Sequence, residues 1–390
     1  MKGFFYVVNL LILALLLALS AQGDDLKLGI ERTEKYFPHL EDKKVGIVAN
    51  QTSRIDEVHL LDTLLSAGFN VQRVFAPEHG FRGDYAAGAQ VADDKDKETG
   101  TPVVSLYGDN RKPSPSMLED LDVVIFDIQD VGVRFYTYIS TMHYVMEVAA
   151  ETGTQVMILD RPNPNGHFVD GPVLEKEFQS FVGMHPIPVV HGMTVGELAK
   201  MINGEGWLED GRKADLKVIP NKNYARHQSY APPVEPSPNL PTIESIYLYP
   251  SLCFFEGTSV SVGRGTDYPF QVIGKPGFEK GDYTFTPQEV PGKAENPPYE
   301  NQECRGFKLI EFAENYIRPS KELYLKWLIA FYEESNDQEE FFNDFFDLLA
   351  GTDQLRKQIK NGLSEEEIRE TWKEDLKEFR KKRQPYLIYP

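Results

Sequence analysis

Glu78 stands in Phe75-Ala76-Pro77-Glu78-His79-Gly80-Phe81-Arg82-Gly83, an acid beside an imidazole on a loop whose glycines let the backbone approach a ligand. A carboxyl group partly buried against apolar surface keeps its proton to higher pH, which suits it to protonate a leaving oxygen. Three further acids are candidates for the second group of such chemistry: Asp127 and Asp130, which follow Val123-Val124-Ile125-Phe126, and Glu256, which precedes Gly257-Thr258. Arg264, set among small residues, offers a planar fork that can hold an acidic substituent. Each has a structural alternative. Glu78 can pair with Arg82, Asp127 with Arg134, and Arg264 can sit in a β-turn.

The elements that must position these residues alternate between short β-branched runs and helical spacing. Strands are predicted over 45–49, 71–76, 103–106, 122–126 and 156–159, with helices over 57–67 and 138–150. Strand, helix, strand at these intervals predicts an α/β fold, a Rossmann-like parallel sheet layered by helices. Ligands of such sheets bind beyond the carboxyl ends of the strands. Those ends carry Asn50-Gln51-Thr52, Pro77-Glu78-His79, Tyr107-Gly108, Asp127-Ile128-Gln129-Asp130 and Asp160-Arg161-Pro162-Asn163, which places a functional cleft at one rim.

Further along, a helix is predicted over 195–203 with Thr194 as its cap and a strand over 216–219. Residues 231–241 hold five prolines, which makes them either a linker or a rigid loop lining a site. A smaller α+β auxiliary domain is expected over 272–390, after a catalytic domain over 24–271, with helices over 321–333, 338–349 and 364–380. Lys2, the apolar run from Phe4 to Leu19 and the small residues after it read as a cleavable leader over 1–22, which predicts an exported protein, periplasmic or secreted. Cys253 and Cys304 would then be free to pair or to remain buried thiols.

Several classes are excluded. With 60 acidic and 41 basic residues the chain carries a formal charge of −19, which repels nucleic acid. The first strand runs into Asn50-Gln51-Thr52-Ser53 with no glycine, so a dinucleotide turn is missing, as are a phosphate loop, a serine nucleophile elbow and an H-E-x-x-H helix. No cofactor is expected.

The motifs Val48-Ala49-Asn50-Gln51-Thr52-Ser53, Pro77-Glu78-His79-Gly80, Asp127-Ile128-Gln129-Asp130 through Tyr138, Asp160-Arg161-Pro162-Asn163-Pro164, His191-Gly192-Met193-Thr194, Ser237-Pro238-Asn239-Leu240-Pro241 and Arg264-Gly265-Thr266 together resemble the bacterial exo-β-N-acetylmuramidases of the NamZ type, long catalogued as a domain of unknown function. The resemblance covers nearly all of the chain after its leader. It implies a glycosidase that removes N-acetylmuramic acid from the non-reducing ends of peptidoglycan fragments, with Glu78 as the leading catalytic candidate. Muramic acid is itself acidic, so Arg82, Arg134, Arg161 and Arg264 become candidates for its carboxylate, and Asn50, His79, Tyr136, Asn163 and Asn239 for orienting the sugar. The second group stays open among Asp127, Asp130, Glu256 and the substrate's own 2-acetamido oxygen. Two other classes remain: a non-catalytic cell-wall sugar-binding protein, and a metal-dependent hydrolase using His79, Asp127, Asp130 and His191.

Overall fold

The computed structural model describes residues 25–78, 80–82, 94–108 and 110–390. The expected leader, His79 and Gly83 lie outside the described residues. Lys44–Ala49 (β1), Asn70–Ala76 (β2), Pro102–Ser105 (β3), Val123–Asp127 (β4), Gln155–Leu159 (β5) and Leu216–Ile219 (β6) run parallel. Across the sheet their order is 6-5-4-1-2-3, with the short strand Asp94–Lys95 antiparallel at the β3 edge. This is the Rossmann order, and the switch point lies between β1 and β4. All of β4 is buried, because successive side chains feed two separate cores. Val45, Ile47, Val123 and Ile125 pack with Leu60–Ser66 (α1) on one face. Val48, Val124 and Phe126 pack with Tyr138–Thr152 (α2) and Val195–Glu205 (α3) on the other. Two covered faces explain why these strands read as unbroken apolar runs.

Some elements differ from their sequence patterns, each for a local reason. The helix predicted from residue 57 begins at Leu60, because Asp56 adopts a φ of 51° and turns Arg54–Ile55 back on Val58–His59. His59 Nδ1 then caps α1 by accepting from the Leu61 amide at 3.2 Å. The helical pattern of Ile243–Leu252 (α4) is hidden by its internal Pro250. A proline there deprives the Ile246 carbonyl of its helical donor, and Asn165 Nδ2 replaces it at 3.1 Å.

The smaller C-terminal part holds an antiparallel sheet of Val272–Lys275 (β7), Tyr283–Phe285 (β8) and Cys304–Lys308 (β9), with β9 in the middle. Gly306 permits the close crossing to β7, since a Cβ there would lie 1.8 Å from the Ile273 carbonyl oxygen. Helices Lys326–Glu333 (α5), Phe345–Ala350 (α6), Gln354–Lys360 (α7), Glu365–Thr371 (α8) and Lys373–Arg383 (α9) follow. The single helix expected over 364–380 is two, broken where Trp372 turns its indole to donate to Asp170 Oδ1 at 3.1 Å. Cys253 and Cys304 are separate buried thiols. The chain end returns to the main sheet: the Tyr389 hydroxyl donates to Asp160 Oδ2 at 2.6 Å, beside the Thr194 hydroxyl at 2.8 Å. Thr194 also caps α3, in a reciprocal pair with Glu197.

Candidate active site

A cavity of about 390 Å³ opens at the carboxyl ends of β2 and β3, between the Rossmann layers and the C-terminal helices. Its size falls within the roughly 300–1,000 Å³ of small-molecule sites. Glu78 and Tyr107 reach it from the ends of β2 and β3, and Phe135 to Tyr138 from the segment that leads into α2. The proline-rich stretch supplies Ser237, Asn239 and Leu240. It is therefore a rigid loop of the site rather than a linker: the Pro236 carbonyl accepts from the Tyr136 hydroxyl at 2.8 Å, and Asn239 Nδ2 donates to the Lys293 carbonyl at 3.0 Å. Tyr249, Cys253, Glu256, Arg264 and Phe270 close another side, and Phe345, Leu348 and Leu349 of α6 complete the wall.

Glu78 is half-buried. Thr137 Oγ1, at the cap of α2, donates to its Oε2 at 3.1 Å, and the Tyr138 hydroxyl reaches its carbonyl at 3.4 Å. A turn closed by the Gly80 amide on the Pro77 carbonyl at 3.0 Å, with Gly80 at a φ of 79°, sets the loop. The acid is thus oriented by α2 and not by Arg82. That arginine forks onto Asp96 at 2.9 and 3.1 Å, with Asp62 and Glu98 also within 4 Å.

The structure brings Glu78, Tyr136, Asn239, Glu256 and Arg264 to one cavity and places the other described candidates elsewhere. Arg161, not Arg134, is the partner of Asp127: its Nε and Nη2 meet the two carboxylate oxygens at 2.7 Å each, and both residues are buried. Low-dielectric surroundings keep such a bidentate pair together, so neither group is presented to a ligand. Asp130 is 3% exposed, its Oδ2 accepts from the Gly132 amide at 2.7 Å, and burial pushes its carboxyl up to about 7. Asn163 and Asn50 are buried braces. Asn163 spans the Met193 carbonyl and the Asn165 amide at 2.8 Å each, and Asn50 Oδ1 accepts from the Thr52 amide and hydroxyl. Arg134 is fully buried and donates to four carbonyls. His191 is buried, and burial together with Arg383 and Arg134 pushes its imidazole down to about 3. Among the described residues no three His, Cys, Asp or Glu side chains gather as a metal-ligand set.

In the cavity itself Glu256 is already engaged. Arg264 Nε donates to its Oε1 at 2.6 Å and the Cys253 thiol approaches its Oε2 at 3.6 Å. Local sequence reading misses Arg111, Phe181, Tyr249 and Phe345, all of which line the wall. Arg111 and Phe181 lie in stretches without strand or helix periodicity, and Phe345 comes from a helix far along the chain. The aromatic pattern around Tyr249 is masked by Pro250.

Comparison with known proteins agrees with this architecture. Residues 45–244 match the family model described as "Exo-beta-N-acetylmuramidase NamZ, N-terminal", and residues 247–389 match its C-terminal counterpart. The chain is 40% identical over 375 residues to the peptidoglycan β-N-acetylmuramidase NamZ of Bacillus subtilis (strain 168), covering 91% of this chain and 89% of that protein. Two crystal structures of DUF1343 family proteins from Bacteroides fragilis NCTC 9343 are similar. BF0379 has a TM-score of 0.88 at 48% identity and BF0371 one of 0.75 at 31%, each spanning 94% of this chain and 99% of its own. With both family models matched across the sheet and the C-terminal helices that enclose the cavity, the chain belongs to the NamZ exo-β-N-acetylmuramidase family.

Proposed function

We propose that this protein is an exo-acting glycosidase that releases N-acetylmuramic acid from the non-reducing ends of peptidoglycan fragments, with Glu78 as the general acid. Family membership supports the reaction, and the observation that carries the assignment of Glu78 is its half-buried carboxyl group in the inter-domain cavity, oriented by Thr137. Glycoside cleavage needs a proton on the leaving oxygen and an electron pair for the developing charge at C1. Both Glu256 oxygens are engaged, Oε1 by Arg264 and Oε2 by the Cys253 thiol, so its approach to C1 would have to break those contacts. That favours the sugar's own 2-acetamido oxygen as the second group. It bonds to C1 as the C1–O bond breaks, and the Glu78 proton passes to the departing oxygen. Water then opens the cyclic oxazolinium and returns a proton to Glu78. Tyr136 and Asn239 border the site as orienting groups, and the aromatic side chains offer faces on which a sugar ring can stack. The leader pattern over 1–22 supports action outside the cytoplasm, in the periplasm or after secretion.

The test is to incubate the purified protein with disaccharides of both alternating orders and identify the freed monosaccharide. N-acetylmuramic acid is expected from the disaccharide that carries it at the non-reducing end. Release of N-acetylglucosamine alone, or of neither sugar, rejects the reading.

A further inference from the structure

Among the described residues two carboxylates, Glu78 and Glu256, and two guanidinium groups, Arg111 and Arg264, line the cavity. The cations are not equivalent. Arg264 is tied to Glu256 at 2.6 Å, so its charge is already matched. Arg111 is exposed and has no carboxylate partner among the described residues; its guanidinium lies 4.6 Å over the Phe181 ring. An arginine held by its π face on an aromatic ring keeps the donor edge of its fork open.

The platform beneath it is built. Phe181 stacks on Tyr144 with centroids 6.1 Å apart and planes at 15°. Its carbonyl accepts from Ser140 Oγ of α2 at 2.7 Å, and the backbones of Ser180 and Gly183 pair at 2.9 and 3.0 Å to close the turn that presents it. Ser180 is a lining residue of the same cavity, but its Oγ is shielded from it. Among the described residues this wall therefore offers a cavity guanidinium with no carboxylate partner, Arg264 being matched by Glu256, in a chain of charge −19. Such an open fork suits a carboxylate, which accepts two parallel bonds from an arginine edge.

We infer that Arg111, seated on Phe181, binds the 3-O-lactyl carboxylate of the substrate and so selects the muramic acid sugar over its neutral neighbour. This inference rests on the muramidase reading and adds the residue that decides specificity. Arg111 does not take part in bond cleavage.

The experiment compares a chromogenic N-acetylmuramic acid β-glycoside with the same glycoside whose lactyl carboxylate has been converted to the primary amide. The native protein is expected to prefer the acid by roughly 10–100-fold in kcat/KM, the range for loss of a charge-assisted hydrogen bond. R111Q loses that preference, mainly through KM, and treats acid and amide alike. R111K, which keeps the charge without the fork, restores part of it. An unchanged acid-to-amide ratio in R111Q, or no preference in the native protein, overturns the inference while leaving the muramidase reading in place. If neither glycoside is cleaved, the muramidase reading fails instead. Calorimetric binding of free N-acetylmuramic acid and its lactyl amide to the native protein and R111Q then decides the role of Arg111 separately, equal affinities for acid and amide in the native protein counting against it.

Discussion

The Arg134 guanidinium donates to the carbonyl of Ala350 at 2.7 Å, joining the segment before α2 to the end of α6 across 216 positions of sequence. The same Nη2 reaches the Leu349 carbonyl at 3.0 Å, while Nη1 holds Pro172 and Ile187 at 2.8 Å each. A cation at the carboxyl end of a helix meets carbonyls that have no partner within the helix. Because α6 carries Phe345, Leu348 and Leu349 into the cavity, Arg134 positions one wall of the site without touching a ligand. R134K should lower stability by about 2–4 kcal/mol, since an ammonium cannot span four carbonyls in a fork and leaves some of them unpaired. Urea unfolding measures this, and a midpoint equal to the native one would contradict the clamp.

E78Q should reduce turnover of the muramic acid glycoside by at least about 100-fold, the contribution typical of a general acid. The glutamine introduced there can still accept from Thr137 through its amide oxygen, so thermal unfolding should stay close to native. Retention of near-native kcat in a folded E78Q protein would move the acid to another residue.

Asp130 yields a pH-dependent prediction. Burial raises its carboxyl to about 7 in the folded protein from an unfolded value near 3.8. Between these values the folded state binds more protons than the unfolded state, so its contribution to stability is present at low pH and is lost as pH rises through about 7. D130N removes that loss while keeping an acceptor for the Gly132 amide. The difference in melting temperature, variant minus native, should therefore be more positive at pH 8 than at pH 5; a flat difference would show that Asp130 does not titrate in this window.

Tyr389 tests the return of the chain end. Its hydroxyl donates to Asp160 and accepts from the Asn221 amide at 2.7 Å, so Y389F leaves buried polar groups unpaired. A loss of about 1–3 kcal/mol is expected in denaturant unfolding. No measurable change would mean that the C-terminal segment is dispensable to the Rossmann layers.

The resemblance and the strand-end pattern both point to the rim where the cavity opens. Glu78 was legible because it ends a strand in a long motif, and Tyr136, Asn239, Glu256 and Arg264 because their motifs also turn out to border the cavity. The errors concern charged residues one step further in. Asp127 and Arg161 carry the signature of a reactive pair, polar side chains after apolar strands, yet they satisfy each other between the carboxyl ends of β4 and β5. A buried ion pair and an active-site pair share that local signature. Only the position of the partner separates them.

What the sequence by itself determined is the parallel sheet, the rim at which chemistry gathers and the family, because these follow from apolar periodicity and from long contiguous motifs. Tertiary structure decided which polar groups remain available. Arg82, Arg134 and Arg161 are consumed by Asp96, by backbone carbonyls and by Asp127, whereas Arg111, from a stretch with no motif, lies over Phe181 with no carboxylate partner among the described residues. The physical reason is that a buried charge must find a counter-charge or a full set of hydrogen bonds, and those partners come from parts of the chain that local spacing cannot connect.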